Sequence, residues 1–203
     1  MSELQLRADL AIISQWIAPG SRVLDLGCGD GTLLKYLQEH RDVSGYGLEI
    51  DPANVVACIR NKVDVIQTDL DAGLSDFDPD SFDYVVMSQT LQAVSYPHRL
   101  ICEMLRIGRQ GIVTFPNFGY WRVRLQLGLK GRMPVSNALP HAWYDTPNIR
   151  LCTLRDFEAL CREQNIRILE RHVLDHAHHE RAFSRWLPNL LGEVAMYRFE
   201  RGD

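Results

Sequence analysis

Three glycines at alternate positions follow a short apolar segment near the start of the chain, and they constrain the fold more than any other feature. Residues 23–26, Val-Leu-Asp-Leu, are typical of a buried parallel strand. Gly27, Gly29 and Gly31 come directly after it, where glycine permits a tight turn and the close approach of a ligand. From Thr32 the sequence predicts a helix whose first amide groups point back at the turn. The segment therefore predicts a strand, a ligand-binding turn and a helix.

The spacing of these glycines and the acid before them indicate the charge of the ligand. The pattern is G-x-G-x-G, whereas dinucleotide-binding proteins carry G-x-G-x-x-G. Asp25 stands two residues before Gly27, where its negative charge would repel a pyrophosphate. A carboxylate at this position favours a ligand with a positively charged group.

Strand and helix patterns alternate from residue 23 to residue 115, which predicts right-handed strand–helix–strand units and a parallel sheet. Further strands are predicted at residues 43–51, 63–70, 82–89, 110–115, 166–173 and 193–199. The last of these follows a short link, and we expect it to run antiparallel to the others. The prediction is a Rossmann-like α/β fold with a seven-stranded, mostly parallel sheet and helices on both faces.

Helix signals are present between these strands. Residues 4–17 and 97–107 carry apolar side chains at helical spacing. Asp51-Pro52 is typical of an N-cap followed by the first helical position, where proline loses no hydrogen bond. Thr153, with Asp156 three residues later, predicts a helix that begins with a capping box.

Two acidic residues end the predicted second and third strands. Glu49 stands 18 residues beyond Gly31, and a carboxylate at that strand end can accept hydrogen bonds from both hydroxyls of a ribose. Asp69 ends the next strand. Either acid alone is equally well explained as a solvated carboxylate, but the two together, behind this glycine turn, favour a ligand site.

In this order, the glycine turn and the two acids resemble the class I S-adenosylmethionine-dependent methyltransferases, whose ligand has a sulfonium and an amino group and no phosphate. The resemblance implies that S-adenosylmethionine or S-adenosylhomocysteine binds across the strand ends. The ribose is then expected at Glu49, the adenine near Asp69, and the methionyl part beside the strand at residues 82–89. The candidate cofactor-binding residues are Asp25, Gly27, Cys28, Gly29, Gly31, Glu49, Ile50, Asp69, Leu70, Ser88 and Gln89.

Sequence signatures of other enzyme classes are absent. The chain has neither the G-x-S-x-G elbow of the α/β-hydrolases nor a Walker loop. After the fourth strand it has Ser-Gln-Thr-Leu at 88–91, where amino-methylating methyltransferases carry Asn/Asp-Pro-Pro-Tyr/Phe. A methyltransferase can act by aligning the acceptor with the methyl group, so this absence excludes nothing and no catalytic residue is identified. Cys28 has no histidine near it in sequence and is interpreted as a small residue that fills a tight turn.

Composition indicates an ordinary globular protein, expected to form a single domain over residues 1–203. Apolar residues make up 46% of the chain and charged residues 24%. The net charge of −4 argues against a nucleic-acid partner. Neither an apolar run of 18 residues nor a basic and apolar leader is present, so we expect no membrane span and no secretory signal. Five cysteines without a C-x-x-C spacing predict reduced thiols in a cytoplasm.

Four histidines lie close together, at positions 172, 176, 178 and 179. Two histidines four residues apart on a helix can share a metal ion. However, His172 falls in a predicted strand, and no third ligand stands at a diagnostic spacing. We therefore expect a solvated, partly basic loop here and no metal site.

Residues 117–150 break the strand and helix alternation. The segment is rich in aromatic and basic residues, namely Phe118, Tyr120, Trp121, Arg122, Arg124, Lys130, Arg132, His141, Trp143 and Tyr144. A connection of more than 30 residues is uncommon unless it has a function. It can serve as a lid over the cofactor or as a protein-binding surface, because Tyr, Trp and Arg are enriched in interface hot spots. A nucleic-acid platform is disfavoured by the acidic net charge.

Longer stretches of the sequence resemble the MetW family of methionine biosynthesis proteins. They are residues 23–31, Ser-Gln-Thr-Leu-Gln at 88–92, Phe-Pro-Asn-Phe-Gly-Tyr-Trp-Arg at 115–122 and Trp-Tyr-Asp-Thr-Pro-Asn-Ile-Arg at 143–150. With Asp-Phe-Glu at 156–158, the similarity covers nearly the whole chain. It implies a bacterial cytoplasmic protein that works with homoserine O-acyltransferase, an α/β-hydrolase that supplies the serine nucleophile missing here.

Two functions are compatible with these residues. The chain is either an accessory subunit that binds S-adenosylmethionine and regulates the acyltransferase, or a methyltransferase that acts on a small molecule. The glycine turn and both acids serve either function.

Overall fold

The computed structural model describes residues 6–136, 138–174 and 187–202. Its strands are β1 Arg22–Leu26, β2 Ser44–Glu49, β3 Val65–Gln67, β4 Phe82–Ser88, β5 Gly108–Pro116, β6 Ile166–Leu174 and β7 Val194–Arg201. Its helices are α1 Ala8–Trp16, α2 Thr32–Arg41, α3 Pro52–Arg60, α4 Pro97–Ile107, α5 Trp121–Lys130, α6 Leu154–Glu163 and α7 Pro188–Leu191, with a short 3-10 helix at Leu70–Ala72.

The seven strands form one sheet in the order β3-β2-β1-β4-β5-β7-β6. Strands β1 to β5 pair in parallel. Strand β7 lies between β5 and β6 and is antiparallel to both. This arrangement confirms the predicted fold, including the single strand of opposite direction.

Helices cover both faces of the sheet because alternate strand residues point to opposite sides. On one face α1, α2 and α3 pack against Val23, Val86 and Ile112. On the other face α4 and α6 pack against a second cluster that includes Leu24 and Phe115. Each strand of the sheet centre is therefore buried from both sides, as expected for a parallel sheet.

Two helices begin as their sequences predict. The Asp51 carboxylate accepts a hydrogen bond from the backbone N–H of Ala53 at 2.9 Å, and Pro52 occupies the first position of α3. Thr153 and Asp156 form the capping box of α6, in which each side chain bonds the backbone N–H of the other residue. Such caps stabilise a helix because its first N–H groups have no partner within the helix.

Three elements differ in extent from the sequence predictions. The third strand is only three residues long, and beyond its carboxyl end the Asp69 carboxylate caps the 3-10 helix that follows. The first helix begins at Ala8 within the described residues. Ten residues of the predicted irregular segment form α5, while the remainder up to residue 150 is without regular secondary structure where it is described.

The described part of the chain contains no helix with the length and apolar character that a membrane span requires.

Candidate functional site

The candidate site lies where the strand order reverses, between β1 and β4. These neighbours connect to helices on opposite sides, so a crevice opens beyond their carboxyl ends, the position where open α/β sheets bind ligands. The glycine turn follows β1, Glu49 ends β2, and Ser88 ends β4. Parallel strands therefore bring three of the predicted segments to one edge of the sheet.

The glycine turn adopts a backbone that only glycine enters without strain. Gly27, Gly29 and Gly31 all have positive φ, at 71°, 57° and 77°. The N–H groups of Gly27 and Cys28 both donate to the carbonyl of Leu48, at 2.8 and 3.1 Å, which ties the turn to β2. The three glycines differ, however, in what lies next to them.

The space around each glycine distinguishes packing from ligand access. A Cβ at Gly27 would come within 2.5 Å of Thr90 Oγ1, so this position is closed by the neighbouring loop. A Cβ at Gly31 would press on Cys58 and Val63. A Cβ at Gly29 would meet no atom within 4 Å, so the turn is open toward the crevice at this residue.

Glu49 holds the middle of the turn through its carboxylate. Its Oε2 accepts a hydrogen bond from the N–H of Gly29 at 2.8 Å, and its Oε1 accepts from the N–H groups of Ile50 and Asp51 at 2.8 and 2.9 Å. The side chain is buried at the end of β2. The sequence predicted the position of this acid but not its bonds to the backbone of the turn.

Asp25 lies beneath the turn and is 2% exposed. Burial is the main cause that raises the pKa of its carboxyl group from 3.8 to about 7; the nearby charge of Glu49 contributes to this rise, and Arg7 opposes it. Its Oδ1 has no hydrogen-bond partner among the described residues. A buried carboxyl oxygen without a partner is energetically costly, and a cation or hydrogen-bond donor in the crevice would relieve that cost.

Cys28 fills space within the turn. Its Sγ lies 3.7 Å from the Sγ of Cys58, and a Cβ on Gly47 would come within 2.3 Å of it. Burial raises the pKa of the Cys28 thiol strongly, and the charge of Asp25 adds to the effect. Because the thiolate is the nucleophilic form, these features agree with a packing role.

The loop after β4 is fixed by Thr114 of β5. The N–H of Gln89 donates to the hydroxyl and to the carbonyl of Thr114, both at 3.0 Å, and Gln89 has a φ of 57°. The hydroxyls of Ser88 and Thr114 lie 3.3 Å apart. Thr114 thus positions the predicted site residues, although it carried no signal in the sequence.

The predicted residues after β2 and β3 lie further along the same edge. Ile50 is 59% exposed, and Leu70 is half-buried. Asp69 is exposed, and its carboxylate accepts a hydrogen bond from the N–H of Asp71 at 2.9 Å. The N–H of Thr68 donates to the carbonyl of Glu49, which joins this segment to β2. Asp69 therefore lies exposed at this edge of the sheet, and its carboxylate caps the 3-10 helix that follows it.

Arg7 lies beside the candidate site, although the sequence did not indicate it. Its guanidinium pairs with Asp9 through Nε and Nη2, at 2.7 and 2.8 Å, and Nη2 also lies 3.3 Å from Ser88 Oγ. Its charge also acts on Asp25. The residue precedes α1 and is separated from Ser88 by 81 positions, so only the fold brings it to the crevice.

Metal coordination finds no support in the described part of the chain. Within residues 6–136, 138–174 and 187–202, no three His, Cys, Asp or Glu side chains are grouped to hold a metal ion. His172 contacts the ring of Trp16 edge-on and lies 3.7 Å from a Glu170 oxygen. The three other histidines of the predicted cluster lie outside the described residues.

Comparison with protein families identifies the family of this chain. The family model described as methionine biosynthesis protein MetW matches residues 7–199. The chain belongs to the MetW family. A relative in Rhodopirellula baltica, named bifunctional methionine biosynthesis protein MetXA/MetW, is 36% identical over 209 residues. The alignment covers 98% of this chain and 34% of the relative, so the MetW-family chain spans about a third of that protein.

Solved structures show the fold of the MetW-family chain more broadly. An S-adenosylmethionine-dependent methyltransferase from Mesorhizobium loti superimposes with a TM-score of 0.71 at 16% identity, covering 98% of this chain and 100% of the other. One from Thermotoga maritima gives 0.66 at 17% identity, with coverage of 96% and 88%. The [4+2]-cyclase SpnF also gives 0.66 at 17% identity, with coverage of 95% and 80%. At these identities the likeness shows a Rossmann-like methyltransferase fold alone, a fold that the [4+2]-cyclase also has.

Proposed function

We propose that this chain binds S-adenosylmethionine or S-adenosylhomocysteine at the edge of β1, β2 and β4. We further propose that it acts in methionine biosynthesis as an accessory and regulatory subunit of homoserine O-acyltransferase. The cofactor part rests mainly on the orphaned Oδ1 of Asp25 beneath the glycine turn. The partner part rests mainly on the MetXA/MetW relative.

The charges around the crevice fit the ends of the proposed cofactor. S-adenosylmethionine carries a sulfonium and an ammonium, and Asp25 offers a buried carboxyl group without a partner at Oδ1. It also carries a carboxylate, for which the Arg7 guanidinium beside Ser88 is a suitable partner. The open side of Gly29 leaves room for the ligand against the backbone. When bound, the sulfonium would supply an activated methyl group.

Glu49 retains capacity for the ribose in this proposal. Two carboxylate oxygens offer about four acceptor positions, and three backbone N–H groups occupy three of them. Oε2 accepts only the Gly29 N–H among these bonds, so it is the oxygen that we assign to a ribose hydroxyl. We assign the adenine of the cofactor to the part of the edge formed by Ile50, Asp69 and Leu70.

The partner proposal follows from the two parts that are joined in the relative. Its name joins MetXA and MetW in one polypeptide, and the part that matches this chain is about a third of its length. We take MetXA to be the homoserine O-acyltransferase that the family resemblance implies. Fusion of two proteins holds them at high effective concentration, which is favourable when they act together.

The decisive experiment measures homoserine acylation with and without this chain during a titration of S-adenosylmethionine. We expect the chain to change the acylation rate and the cofactor to modulate that change. Glu49→Ala should weaken cofactor binding by roughly tenfold or more, because a hydrogen bond to a charged group contributes about 1.5–3 kcal/mol. Isothermal titration calorimetry measures the affinity, and Glu39→Ala on the exposed side of α2 is the matched control.

The outcomes separate the two functions left open by the sequence. Modulation of acylation without methyl transfer supports the accessory role. Methyl transfer to a small molecule, together with an unchanged acylation rate, supports the methyltransferase alternative. Unchanged affinity in Glu49→Ala would remove Glu49 from the site, and failure of the parent chain to bind either ligand would overturn the cofactor proposal.

A further inference from the structure

Helix α5 presents an apolar stripe whose side chains the described part of the chain leaves more than a third exposed. Trp121, Leu125 and Leu129 stand at i, i+4 and i+8, so they lie one above another on the same face of the helix. Their exposed fractions are 38%, 46% and 80%. We call these three residues the α5 stripe.

The inward face of α5 is held by a small separate cluster. Val123 is the buried residue of the helix, and it packs with Tyr120 and Leu139, with Phe118 beside them. Leu139 comes from the connection that follows α5, so this segment folds back on its own helix. The α5 stripe therefore faces away from the contacts that hold the helix in place.

Isolated exposed apolar side chains are common, but a stripe of this kind is informative. Burial of a large aliphatic or aromatic side chain is stabilising because it removes apolar surface from water. The described residues leave that stabilisation incomplete for three side chains on one short helix. Helices that dock into the groove of a partner likewise carry their apolar anchors along one face, at i, i+3, i+4 and i+7.

The charge of the segment that carries the stripe indicates the chemistry of its partner. Within residues 117–150 the basic side chains are Arg122, Arg124, Lys130, Arg132 and Arg150, whereas Asp145 is the sole acid. The chain as a whole carries a net charge of −4. An apolar groove with an acidic rim is complementary to such a surface, since opposite charges steer the partners together.

We propose that the α5 stripe is the anchor by which this chain docks on homoserine O-acyltransferase, in an apolar groove with an acidic rim. The inference rests on the proposed function for the identity of the partner. The MetXA/MetW relative supports this occupant, because its similarity covers 98% of this chain and both parts share one polypeptide. Trp143 and Tyr144, each 74% exposed in the same connection, provide further aromatic contact area.

The experiment compares the affinities of matched surface variants for homoserine O-acyltransferase. The Leu125→Glu/Leu129→Glu variant places charges on the stripe without touching Val123, and we expect its complex to weaken by at least roughly thirtyfold. Ile59→Glu on α3 is the control, because Ile59 is 64% exposed and lies on another helix. The control should bind the acyltransferase like the parent chain, and S-adenosylmethionine affinity should stay within about twofold in both variants.

Trp121→Ala and Trp143→Ala test the same surface without adding charge. Each is expected to weaken the complex while leaving cofactor affinity mostly intact, whereas a lid would give the reverse result. The inference is overturned if the tryptophan variants lose cofactor affinity and keep the complex. It is also overturned if Leu125→Glu/Leu129→Glu binds the acyltransferase as tightly as the parent chain does. Either result leaves the proposed partner in place. If the parent chain itself does not bind the acyltransferase, the proposed partnership fails first. Self-association of the parent, abolished by Leu129→Glu, would assign the stripe to a second copy and also overturn the inference.

Discussion

Asp25 combines a costly buried carboxyl group with a capacity to bind a ligand. A carboxyl group that is almost fully buried prefers its neutral form, which is why its pKa rises to about 7. A cationic ligand would favour the ionised form and lower that pKa again. Stability and ligand binding therefore make opposite demands on this residue.

We predict that Asp25→Asn changes the pH dependence of folding in a defined direction. In the parent chain the buried carboxyl group of Asp25 binds its proton more tightly in the folded state. Its contribution to stability is therefore complete below about pH 4 and is lost as pH rises through about 7. The difference between the unfolded pKa of 3.8 and the folded pKa of about 7 corresponds to roughly 4 kcal/mol, at about 1.4 kcal/mol per unit. The variant should lack this dependence, so its free energy of unfolding should exceed that of the parent at pH 8.

Urea unfolding of both chains at pH 5 and pH 8 measures this effect. Calorimetry at the same two pH values should show that S-adenosylmethionine binds the parent more tightly at pH 8, and that Asp25→Asn binds weakly at both. Identical pH dependence in the two chains would contradict the assignment of the raised pKa to Asp25.

At the scale of elements, the turn between β1 and α2 separates the structural and ligand-facing roles of its glycines. All three have left-handed backbone conformations, but only Gly29 faces open space. Gly27 is packed against Thr90. The same residue type thus meets two different physical requirements within one turn.

We predict that Gly27→Ala destabilises the fold more than Gly29→Ala. A left-handed conformation costs a non-glycine residue about 1–2 kcal/mol, which applies to both variants. The alanine at position 27 also overlaps Thr90, which adds about 1–3 kcal/mol. Urea unfolding at constant pH measures both losses. Gly27→Ala/Thr90→Ala should recover the additional loss, and equal stabilities for the two single variants would contradict the packing role of Gly27.

Gly29→Ala should instead affect the ligand. Its Cβ would project into the open side of the turn, where we propose that the cofactor lies. We therefore expect a folded variant with reduced S-adenosylmethionine affinity, measured by the same calorimetry.

At the scale of the whole molecule, the sheet depends on β7, the last strand along the chain. This strand lies between β5 and β6, and Met196, Tyr197 and Phe199 on it are fully buried. Met196 packs with the cluster under α1 to α3, whereas Tyr197 and Phe199 pack with the cluster under α4 and α6. One strand thereby joins the cores on both faces of the sheet.

We predict that a chain truncated after Gly192 does not reach the native state. Loss of each large buried side chain removes about 1.5–3 kcal/mol, and the total stability of a domain is about 5–15 kcal/mol. The truncation also leaves both neighbouring strands with unpaired edges. Near-ultraviolet circular dichroism and hydrogen exchange should show the loss of fixed packing. A chain truncated after Arg201 keeps the strand and serves as the control, and cooperative unfolding of the shorter chain would contradict the prediction.

Local physical chemistry made much of the fold predictable from sequence. The apolar runs, the proline and aspartate at the start of α3, and the capping box of α6 act over a few neighbouring residues. Parallel strands align their carboxyl ends, so the predicted acids and glycines had to share one edge of the sheet. The predicted third strand was too long at both ends. At its carboxyl end Asp69 caps the 3-10 helix that follows, and a carboxylate can end a strand or cap a helix with the same local sequence.

Contacts between distant residues were decided by the tertiary structure alone. Arg7 reaches Ser88 across 81 positions, Thr114 fixes the loop after β4, and Thr90 closes the space beside Gly27. The orphaned oxygen of Asp25 also depends on burial by the assembled fold, because burial raises the pKa only when other elements exclude water. By itself the sequence determined the glycine turn, the presence of the seven strands and the family, since these depend on residue type and spacing. The tertiary structure decided which side chains face the crevice and which apolar stripe of α5 the described residues leave exposed, because both depend on what packs against them.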